Sequence, residues 1–357
     1  MDDTGSDAGQ VDAERRFDHA MRRAVELSRL GLGETSPNPN VGCVILDASG
    51  TIVGEGRTSP VGGPHAEVNA LAAAGDKAHG GTAVVTLEPC DHTGRTGPCT
   101  RALIAAGVAR VVFAQADPNP AARGGADTLR AAGVDVEGGL LVDEARELNR
   151  AWTFAQLTGR PYVTWKLATT LDGRSAAADG TSRWVSSPPA RRDTQRLRAA
   201  CDTILVGTGT VLVDDPQLTV RDEDDADLPR DRQLLRAVMG LRDLPPDRRV
   251  LDDAAETLLL RTRDPHEALA ELHERERRHL LLEGGPTLAA AFVQAGLVDE
   301  VVAYVAPMLL GDGLSAIGDL GITTMGDALR LEVADVTTLG TGAETNLRLT
   351  MTVAKRG

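Results

Sequence analysis

Short runs of β-branched and aliphatic residues alternate with helical segments along most of the chain, and this alternation limits its fold more than any other feature. Val41–Leu46, Thr82–Leu87 and residues 110–114 have the composition of buried strands, and stretches with helical periodicity separate them. A chain of this kind buries its apolar faces by covering a sheet with helices. The sequence therefore predicts an α/β fold of stacked layers.

The alternation occurs in two series, which indicates two domains. The 357 residues exceed an ordinary domain, and 42% of them are hydrophobic, so each half can bury its own core. A helix over Val142–Leu157 leads out of the first series, and Gly and Pro in Thr158–Pro161 end it. We predict domains over residues 15–157 and 158–357, with residues 1–14 as a disordered acidic tail.

Net charge and cysteine content restrict the expected partners and location. A formal net charge of −14 repels polyanions, so we expect neither a nucleic acid nor an anionic membrane surface as a partner. No apolar run approaches the roughly 20 residues of a membrane span. Four cysteines in so long a chain do not suggest a disulfide scaffold, and we expect a cytoplasmic protein.

The segment from His65 to Cys99 concentrates residue types that bind zinc. A catalytic zinc takes three protein ligands and leaves one position for water, and His65, Cys90 and Cys99 supply three such ligands. Both cysteines lie at or near predicted helix starts, where backbone N–H groups stabilise a thiolate. Glu67 lies about 200° around a helix from His65, so we expect a non-ligand. A carboxylate beside a zinc-bound water carries the protons that hydrolytic deamination requires.

The same residues leave alternatives open. A structural zinc closes with a fourth ligand, for which His92 is available, and His65 can also be a core histidine beside two unrelated thiols. The Gly-rich insert that contains His92 and Arg95 can hold a phosphate of a small substrate. Asn38 and Asn40 precede a strand, where their amides can bind the edge of a pyrimidine, although Pro-Asn turns alone also explain them.

The pattern His-x-Glu followed by Pro-Cys resembles the signature of the zinc-dependent nucleobase deaminases, although eight residues instead of two separate the cysteines here. Together, SPNPNVGCVI, HAEVNAL, TLEPCDHTGRTGPC and ADPNP resemble the deaminase half of the bifunctional riboflavin-biosynthesis deaminase/reductase family. The resemblance spans about residues 15–150 and implies a cytidine-deaminase-like three-layer domain. It also implies that a Zn²⁺-activated hydroxide deaminates 2,5-diamino-6-(5-phosphoribosylamino)pyrimidin-4(3H)-one, with release of ammonia.

The second half resembles the reductase half of the same family in WKLATTLDGRSA, GTSRWVSS, RLRAACDTILVGTGTVLVDDPQLTVR and LLEGGPTLAAAF. The resemblance implies a dihydrofolate-reductase-like domain that uses NADPH to reduce the ribosyl group of the deaminated product to ribityl. At the matching positions it implies two sets of contacts. They are substrate contacts from Ser182, Trp184, Arg198, Leu218, Arg221 and Glu283, and cofactor contacts from Ala168, Thr210, Asp214 and Gly285.

Roles within this second set follow from the chemistry of the side chains. Arg198 and Arg221 are expected to hold the 5-phosphate, because guanidinium groups bind phosphate through paired hydrogen bonds. Lys166 and Asp214 are the candidates for proton handling. A Gly-Gly turn that opens a helix, as at Gly285, brings backbone N–H groups close to a phosphate, although the same turn is common without a ligand.

One departure from the family lies in the middle of the second half, where Gly240 and Leu241 replace an Asp-Ser pair that commonly contacts the nucleotide. The choice of NADPH over NADH therefore rests on the resemblance alone. Three rivals stay open: a zinc deaminase with an inert or structural C-terminal domain, a nucleic-acid-editing deaminase, and a zinc-stapled binding protein. Retention of both arginines and Glu283 opposes the first, and the acidic charge opposes the second. The expected partner is a small-molecule phosphoribosylaminopyrimidine, and a homo-oligomer is left open.

Overall fold

A computed structural model describes the protein over residues 4–94 and 96–354. The chain divides into two compact units, Met1–Gly159 and Arg160–Gly357, a division that lies two residues from the boundary expected from the sequence. Within the described residues, no helix combines the length and the apolar character needed to cross a membrane.

The first unit, over its described residues, is a five-stranded mixed sheet covered by helices. Its elements are α1 (Thr4–Arg29), β1 (Gly42–Leu46), β2 (Ile52–Arg57), α2 (Ala66–Ala74), β3 (Thr82–Leu87), α3 (Cys99–Ala105), β4 (Arg110–Gln115), α4 (Gly125–Ala131), β5 (Asp135–Gly138), α5 (Val142–Leu148) and α6 (Arg150–Thr158). The strand order is β2-β1-β3-β4-β5. Strand β1 is antiparallel to β2 and β3, whereas β3, β4 and β5 run parallel.

Strand β1 is buried on both faces, and this explains its uninterrupted apolar sequence. Cys43 and Ile45 point into a core shared with α2, α3 and α4. Val44 and Leu46 point into a separate core on the opposite face, which α1 and α5 cover. The sheet therefore lies between two helical layers, and the expected three-layer arrangement of this domain is confirmed.

The acidic segment 1–14, whose disorder stays a prediction, leads into the first helix. Helix α1 extends back to Thr4, so residues 4–14 are helical, and residues 1–3 lie outside the described part of the chain. The apolar face of α1 that includes Ala20, Met21 and Ala24 is fully buried on the sheet. Once such a docked helix has formed, each added residue costs far less than nucleation, which is a physical reason for its extension.

A glycine in β2 determines where α2 lies. A Cβ on Gly56 would stand 2.4 Å from the carbonyl oxygen of Ala66 in the first turn of α2, so only glycine allows this close approach. Because His65 immediately precedes α2 and Glu67 lies in its first turn, the same approach positions both of these side chains.

The second unit, over its described residues, contains a larger sheet. Its elements are β6 (Tyr162–Thr170), β7 (Arg174–Ala177), α7 (Pro188–Ala199), β8 (Thr203–Gly207), α8 (Thr208–Asp214), β9 (Leu235–Met239), β10 (Thr257–Leu260), α9 (Pro265–Glu274), β11 (His279–Leu282), α10 (Pro286–Gln294), β12 (Glu300–Ala306), β13 (Gly313–Ser315), β14 (Leu331–Leu339) and β15 (Asn346–Val353). The strand order is β10-β9-β8-β11-β6-β12-β15-β14, and β7 pairs separately with β13.

The pairing in this sheet creates one edge where loops converge. Strands β10, β9, β8, β11, β6 and β12 are parallel, and β15 and β14 are antiparallel additions. The carboxyl ends of β8, β9 and β11 therefore lie side by side, and ligands of open parallel sheets bind at such edges. The dihydrofolate-reductase-like domain implied by the sequence is confirmed.

Candidate active sites

His65, Cys90 and Cys99 come together at one end of the first sheet. His65 Nδ1 lies 3.3 Å from Cys99 Sγ and 3.6 Å from Cys90 Sγ, and the three atoms all lie within 4.8 Å of one another. A tetrahedral zinc with ordinary Zn–N and Zn–S bonds separates such a nitrogen and sulfur by about 3.6 Å. The three donor atoms therefore fit a single tetrahedral metal ion.

Each donor is held at an element end. His65 is the extended residue that precedes α2, Cys99 is the first residue of α3, and Cys90 lies in the loop after β3. The backbone N–H of Cys99 donates to Cys90 Sγ at 3.5 Å. Thr96 Oγ1 lies 3.1 Å from His65 Nε2, so the other ring nitrogen faces the sulfurs. A hydrogen bond on the outer nitrogen is the usual way to fix the orientation of a metal-binding imidazole.

The pKa values of the two neighbouring thiols, Cys90 and Cys99, shift in opposite directions. Hydrogen bonds from the Cys99 thiol and from His65 hold the pKa of Cys90 well below its usual range, against the opposing effect of burial. The bond to Cys90 and burial together raise the pKa of Cys99. One imidazole nitrogen beside a thiolate and a second thiol is a donor set that suits zinc.

The fourth position of the cluster is open among the described residues. The group of mutually close ligand atoms contains His65, Cys90 and Cys99, and His92 does not belong to it. A closed structural site with His92 as the fourth ligand is therefore not what the geometry supports. Arg95, the other polar residue expected in the Gly-rich insert, lies outside the described residues.

Glu67 lies beside the cluster and is almost completely buried, with 4% of its surface exposed. Burial, reinforced by the negative charge of Cys90, raises the pKa of its carboxyl group to about 7. A carboxyl group with this pKa can take up and release a proton near neutral pH.

The loop that carries Asn38 and Asn40 lies beside the end of β3 that leads to Cys90, since Gly42 N–H donates to Thr86 Oγ1 at 3.1 Å. Asn40 Oδ1 accepts from Thr35 Oγ1 at 2.9 Å, and Asn38 O accepts from the same hydroxyl at 3.1 Å. These are the bonds of a polar turn, and both side chains remain partly exposed. Turn chemistry and pyrimidine binding are thus compatible at this loop.

Asn149 holds this loop, and sequence reasoning missed it. Its Oδ1 accepts from Asn40 N–H and its Nδ2 donates to Asn40 O, both at 2.8 Å. The helix expected over Val142–Leu157 is broken at this residue into α5 and α6. A break at an asparagine inside an otherwise helical pattern is the only local signal that could have identified it.

Two acidic residues that flank Pro89–Cys90 also escaped the sequence reasoning. Asp91 accepts hydrogen bonds of 2.7 Å from Thr100 Oγ1 in α3 and from Thr128 Oγ1 in α4. Glu88 accepts from the backbone N–H of Ala126 at 3.0 Å. These bonds attach the loop of Cys90 to α3 and α4. The only signal of them in the sequence was the presence of the two acidic residues in TLEPCDH.

In the second unit, Glu283 is held between two cations. Arg198 Nε and Nη2 donate to its two oxygens at 2.7 and 3.1 Å, and Lys166 Nζ lies 3.6 Å from Oε2. Burial acts to raise the pKa of Glu283, but the charges of Arg198 and Lys166 outweigh it and hold the pKa at about 2. Lys166 Nζ also lies 5.8 Å from the centre of the Tyr304 ring.

Arg198, predicted as a phosphate ligand, is held by three hydrogen bonds inside the protein. Besides its two bonds to Glu283, its Nη1 donates to Thr219 O at 3.1 Å, so all three nitrogens are engaged inside the protein. Arg221 is a third exposed and pairs with Asp225 at 3.2 Å and Asp227 at 3.4 Å. Of the two expected phosphate ligands, Arg221 is therefore the more accessible one.

Leu218 is buried with a positive φ of 61°, and its side chain packs into the core beside Val206 and Val238. Only its backbone is left to face a ligand. Trp184, in contrast, is 65% exposed, and the Arg191 guanidinium lies 4.4 Å from its ring centre. Ser182 is exposed in the same turn, where its carbonyl accepts from Val185 N–H at 3.0 Å.

Two of the four expected cofactor residues, Thr210 and Gly285, adjoin at the edge formed by β8 and β11. A Cβ on Gly285 would have Thr210 Oγ1 as its nearest neighbour at 3.9 Å, so the starts of α8 and α10 adjoin with open space between them. Ala168, on β6, packs beside Tyr304 of the neighbouring strand β12. Asp214 is exposed at the end of α8, and its carbonyl accepts from Arg183 Nη2 at 3.2 Å. Backbone amides and a hydroxyl beside open space suit the phosphates of a nucleotide.

Comparison with protein families divides the chain in the same way. Residues 15–115 match the cytidine and deoxycytidylate deaminase zinc-binding region. Residues 161–344 match the RibD C-terminal domain. The first match contains all three donors of the metal cluster, and the second contains the Glu283 ion pairs and the cofactor edge.

Curated relatives and solved structures are similar over nearly the whole chain. The riboflavin biosynthesis protein RibD of Mycobacterium tuberculosis is 51% identical over 92% of this chain and 96% of its own length. RibD of Escherichia coli is 43% identical over 90% of this chain and 96% of its own. The structure of Acinetobacter baumannii RibD covers 96% of this chain and all of its own, with 38% identity and a TM-score of 0.89.

Proposed function

The chain belongs to the RibD family of riboflavin-biosynthesis proteins, and from this premise we propose which of its residues carry the two reactions. It is a bifunctional enzyme with a zinc-dependent deaminase domain and an NADPH-dependent reductase domain, as the sequence predicted. Because the C-terminal domain belongs to a reductase family, the alternative of an inert or structural second domain is wrong. The editing-deaminase and binding-protein alternatives also fall with the membership of this family.

For the deaminase, we propose that His65, Cys90 and Cys99 hold the zinc ion. When bound there, zinc supplies a Lewis acid that lowers the pKa of a water molecule. The substrate is the 2,5-diaminopyrimidine that carries a phosphoribosylamino group. Asn149 holds the backbone of Asn40 through hydrogen bonds to both its N–H and its carbonyl oxygen. The side-chain amide of Asn40, together with that of Asn38, then binds the edge of the pyrimidine.

Glu67 is the proton carrier of this reaction. Its carboxylate takes a proton from the attacking water and delivers one to the amino group that leaves as ammonia. The observation that carries this role is a buried carboxyl group beside three metal donors, of which it is not one. A carboxylate held at that place can serve both halves of the proton transfer.

Metal analysis tests the proposed zinc site. We expect about one zinc per chain in protein purified without chelators, and a loss of most of it in His65→Ala and Cys99→Ser, because each variant removes one of three donors. Cys201→Ala, in the other unit, is the matched control and retains its zinc. Full zinc content in both ligand variants would show that the metal lies elsewhere.

For the reductase, we propose that Lys166 is the charged group that meets the reacting end of the substrate. The bound NADPH supplies the hydride that converts the ribosyl group into an open ribityl chain. Glu283 pairs with Lys166 and orients it, and Arg198 in turn fixes Glu283 through two hydrogen bonds. Ser182, Trp184 and the backbone at Leu218 line the substrate side. Ala168, Thr210, Asp214 and Gly285 line the cofactor side.

Kinetics of the two arginine variants test the division of labour between them. Arg221→Ala is expected to raise KM for the deaminated intermediate about tenfold to a hundredfold, because a charge-assisted phosphate contact is worth about 1.5–3 kcal/mol. Arg198→Ala is expected to lower kcat more than it raises KM, because it releases Glu283 rather than the phosphate.

The measurement is steady-state NADPH oxidation at saturating cofactor. Arg196→Ala is the control. Arg196 lies on α7, as Arg198 does, and its ion pair with Glu223 is highly exposed. An unchanged KM in Arg221→Ala would mean that the phosphate lies elsewhere.

We propose the cytoplasm as the site of action, in line with four cysteines that form no disulfide, Cys43, Cys90, Cys99 and Cys201. The partner that both sites share is the small-molecule phosphoribosylaminopyrimidine. Self-association of the chain stays a prediction.

A further inference from the structure

An arginine that no expected contact includes stands at the cofactor edge of the reductase. Arg242 follows β9, whose carboxyl end lies beside that of β8. Its Nη2 is 3.2 Å from the position that a Cβ on Gly209 would occupy. Gly209 is the second residue of α8, one residue before Thr210. The guanidinium group therefore lies against the first turn of α8, beside the residue that precedes Thr210.

The guanidinium group of Arg242 has no polar partner among the described residues. Within residues 4–94 and 96–354, its exposed guanidinium group makes neither a hydrogen bond nor an ion pair. The nearby acid Asp243 is already paired with Arg261 at 2.8 Å. Arg261 Nη1 also donates to Arg242 O at 3.3 Å, so a second cation borders the loop. Such a loop attracts an anionic group on the ligand.

The departure at Gly240 and Leu241 gains a physical explanation from this arrangement. Gly240 has a φ of 144°, and a Cβ there would stand 2.7 Å from Thr208 Oγ1, so an aspartate does not fit at this position. In dinucleotide sites, an acidic side chain commonly binds the ribose 2′-hydroxyl of NAD, whereas an arginine accommodates the 2′-phosphate of NADP. This chain has a glycine instead of an acid at position 240 and an arginine two residues later, Arg242.

We infer that Arg242 binds the 2′-phosphate of NADPH and makes the reductase select NADPH over NADH. The inference rests on the cofactor placement proposed above for Thr210 and Gly285. The 2′-phosphate is the part of NADPH that NADH lacks, so one cation placed on it affects one cofactor and not the other. A guanidinium group is suited to it, because it offers several donors to the oxygens of one phosphate.

Equilibrium binding to the full chain tests the inference without any turnover. We expect Arg242→Ala to raise the Kd for NADPH at least tenfold and to change the Kd for NADH less than threefold, with both followed by nicotinamide fluorescence. Arg242→Lys should fall between, because a point charge keeps the attraction but not the paired hydrogen bonds. Competition should agree: 2′,5′-ADP loses its advantage over 5′-ADP in Arg242→Ala.

Two further variants make the outcome decisive. Arg275→Ala removes the same charge at the C-terminal end of α9, where Arg275 pairs with Glu271, and should leave both Kd values unchanged. Gly285→Val fills the open space beside Thr210 and should weaken both cofactors. If it does so while Arg242→Ala leaves the ratio of the two Kd values unchanged, the cofactor site stands and the inference is wrong. If neither variant affects binding, the cofactor placement is wrong and the inference falls with it.

Discussion

Replacement of Glu67 by glutamine is expected to lower deaminase turnover about a thousandfold or more, while zinc stays bound. The amide keeps the shape of the buried side chain but can neither take a proton from water nor give one to the leaving amine, and such transfers typically contribute about 10²–10⁴-fold. Ammonia release from the diaminopyrimidine measures the loss. NADPH oxidation with the already deaminated intermediate should continue, because its proposed residues lie in the second unit.

Zinc content separates the proton carrier from a ligand. We expect Glu67→Gln to hold as much zinc as the unchanged protein, because the three donors that meet within 4.8 Å do not include Glu67. Glu26→Gln, on an exposed ion pair of α1, is the matched control and should keep both zinc and turnover. Loss of the metal in Glu67→Gln would identify Glu67 as a ligand and overturn its assigned role.

Replacement of Glu283 by alanine is expected to destabilise the second unit by about 3–5 kcal/mol, because it leaves the largely buried cations of Arg198 and Lys166 without their anion. The midpoint of denaturant unfolding at neutral pH measures this change. Asp225→Ala, which breaks an exposed pair with Arg221, should cost less than about 0.5 kcal/mol. A loss below about 1 kcal/mol in Glu283→Ala would contradict the strong coupling inferred here.

The same carboxylate gives a pH dependence of definite sign. Its pKa is about 2 in the folded chain against an ordinary value of 4.5, so the folded state binds its proton more weakly. The stabilisation is therefore complete above pH 4.5 and is lost as the pH falls from 4.5 towards 2. A depression of this size corresponds to about 3 kcal/mol. The unchanged protein should show this loss in acid, and Glu283→Ala should lack it.

Features that depend on near neighbours in the chain were predictable. The alternation of apolar runs with helical periods predicts the α/β class, because strands and helices impose their own residue spacing. The metal donors were also accessible, because His65, Cys90 and Cys99 are zinc-binding residue types at predicted element ends. The motifs around them carried the resemblance of the deaminase half, and separate motifs after residue 160 carried that of the reductase half.

Contacts between distant segments were not predictable. Asn149 holds Asn40 across 109 residues, and Glu283 takes up Arg198 across 85 residues, so no periodicity or spacing relates the partners. The sequence shows the charge of Arg198 but not the carboxylate that follows β11 and pairs with it. It shows Leu218 but not that its side chain points into the core, and the ligand contacts expected of both residues stay predictions.

The sequence by itself determined the fold class, the residue types of the metal site and the order of the two domains, because these follow from local propensity and ligand chemistry. The tertiary structure alone decided which charges meet. Parallel pairing of β6, β11 and β8 brings Lys166 and Glu283 together, and pairing of β8 with β9 sets Arg242 against the start of α8. An ion pair depends on distance in space, and only the order of strands in the sheet establishes that distance.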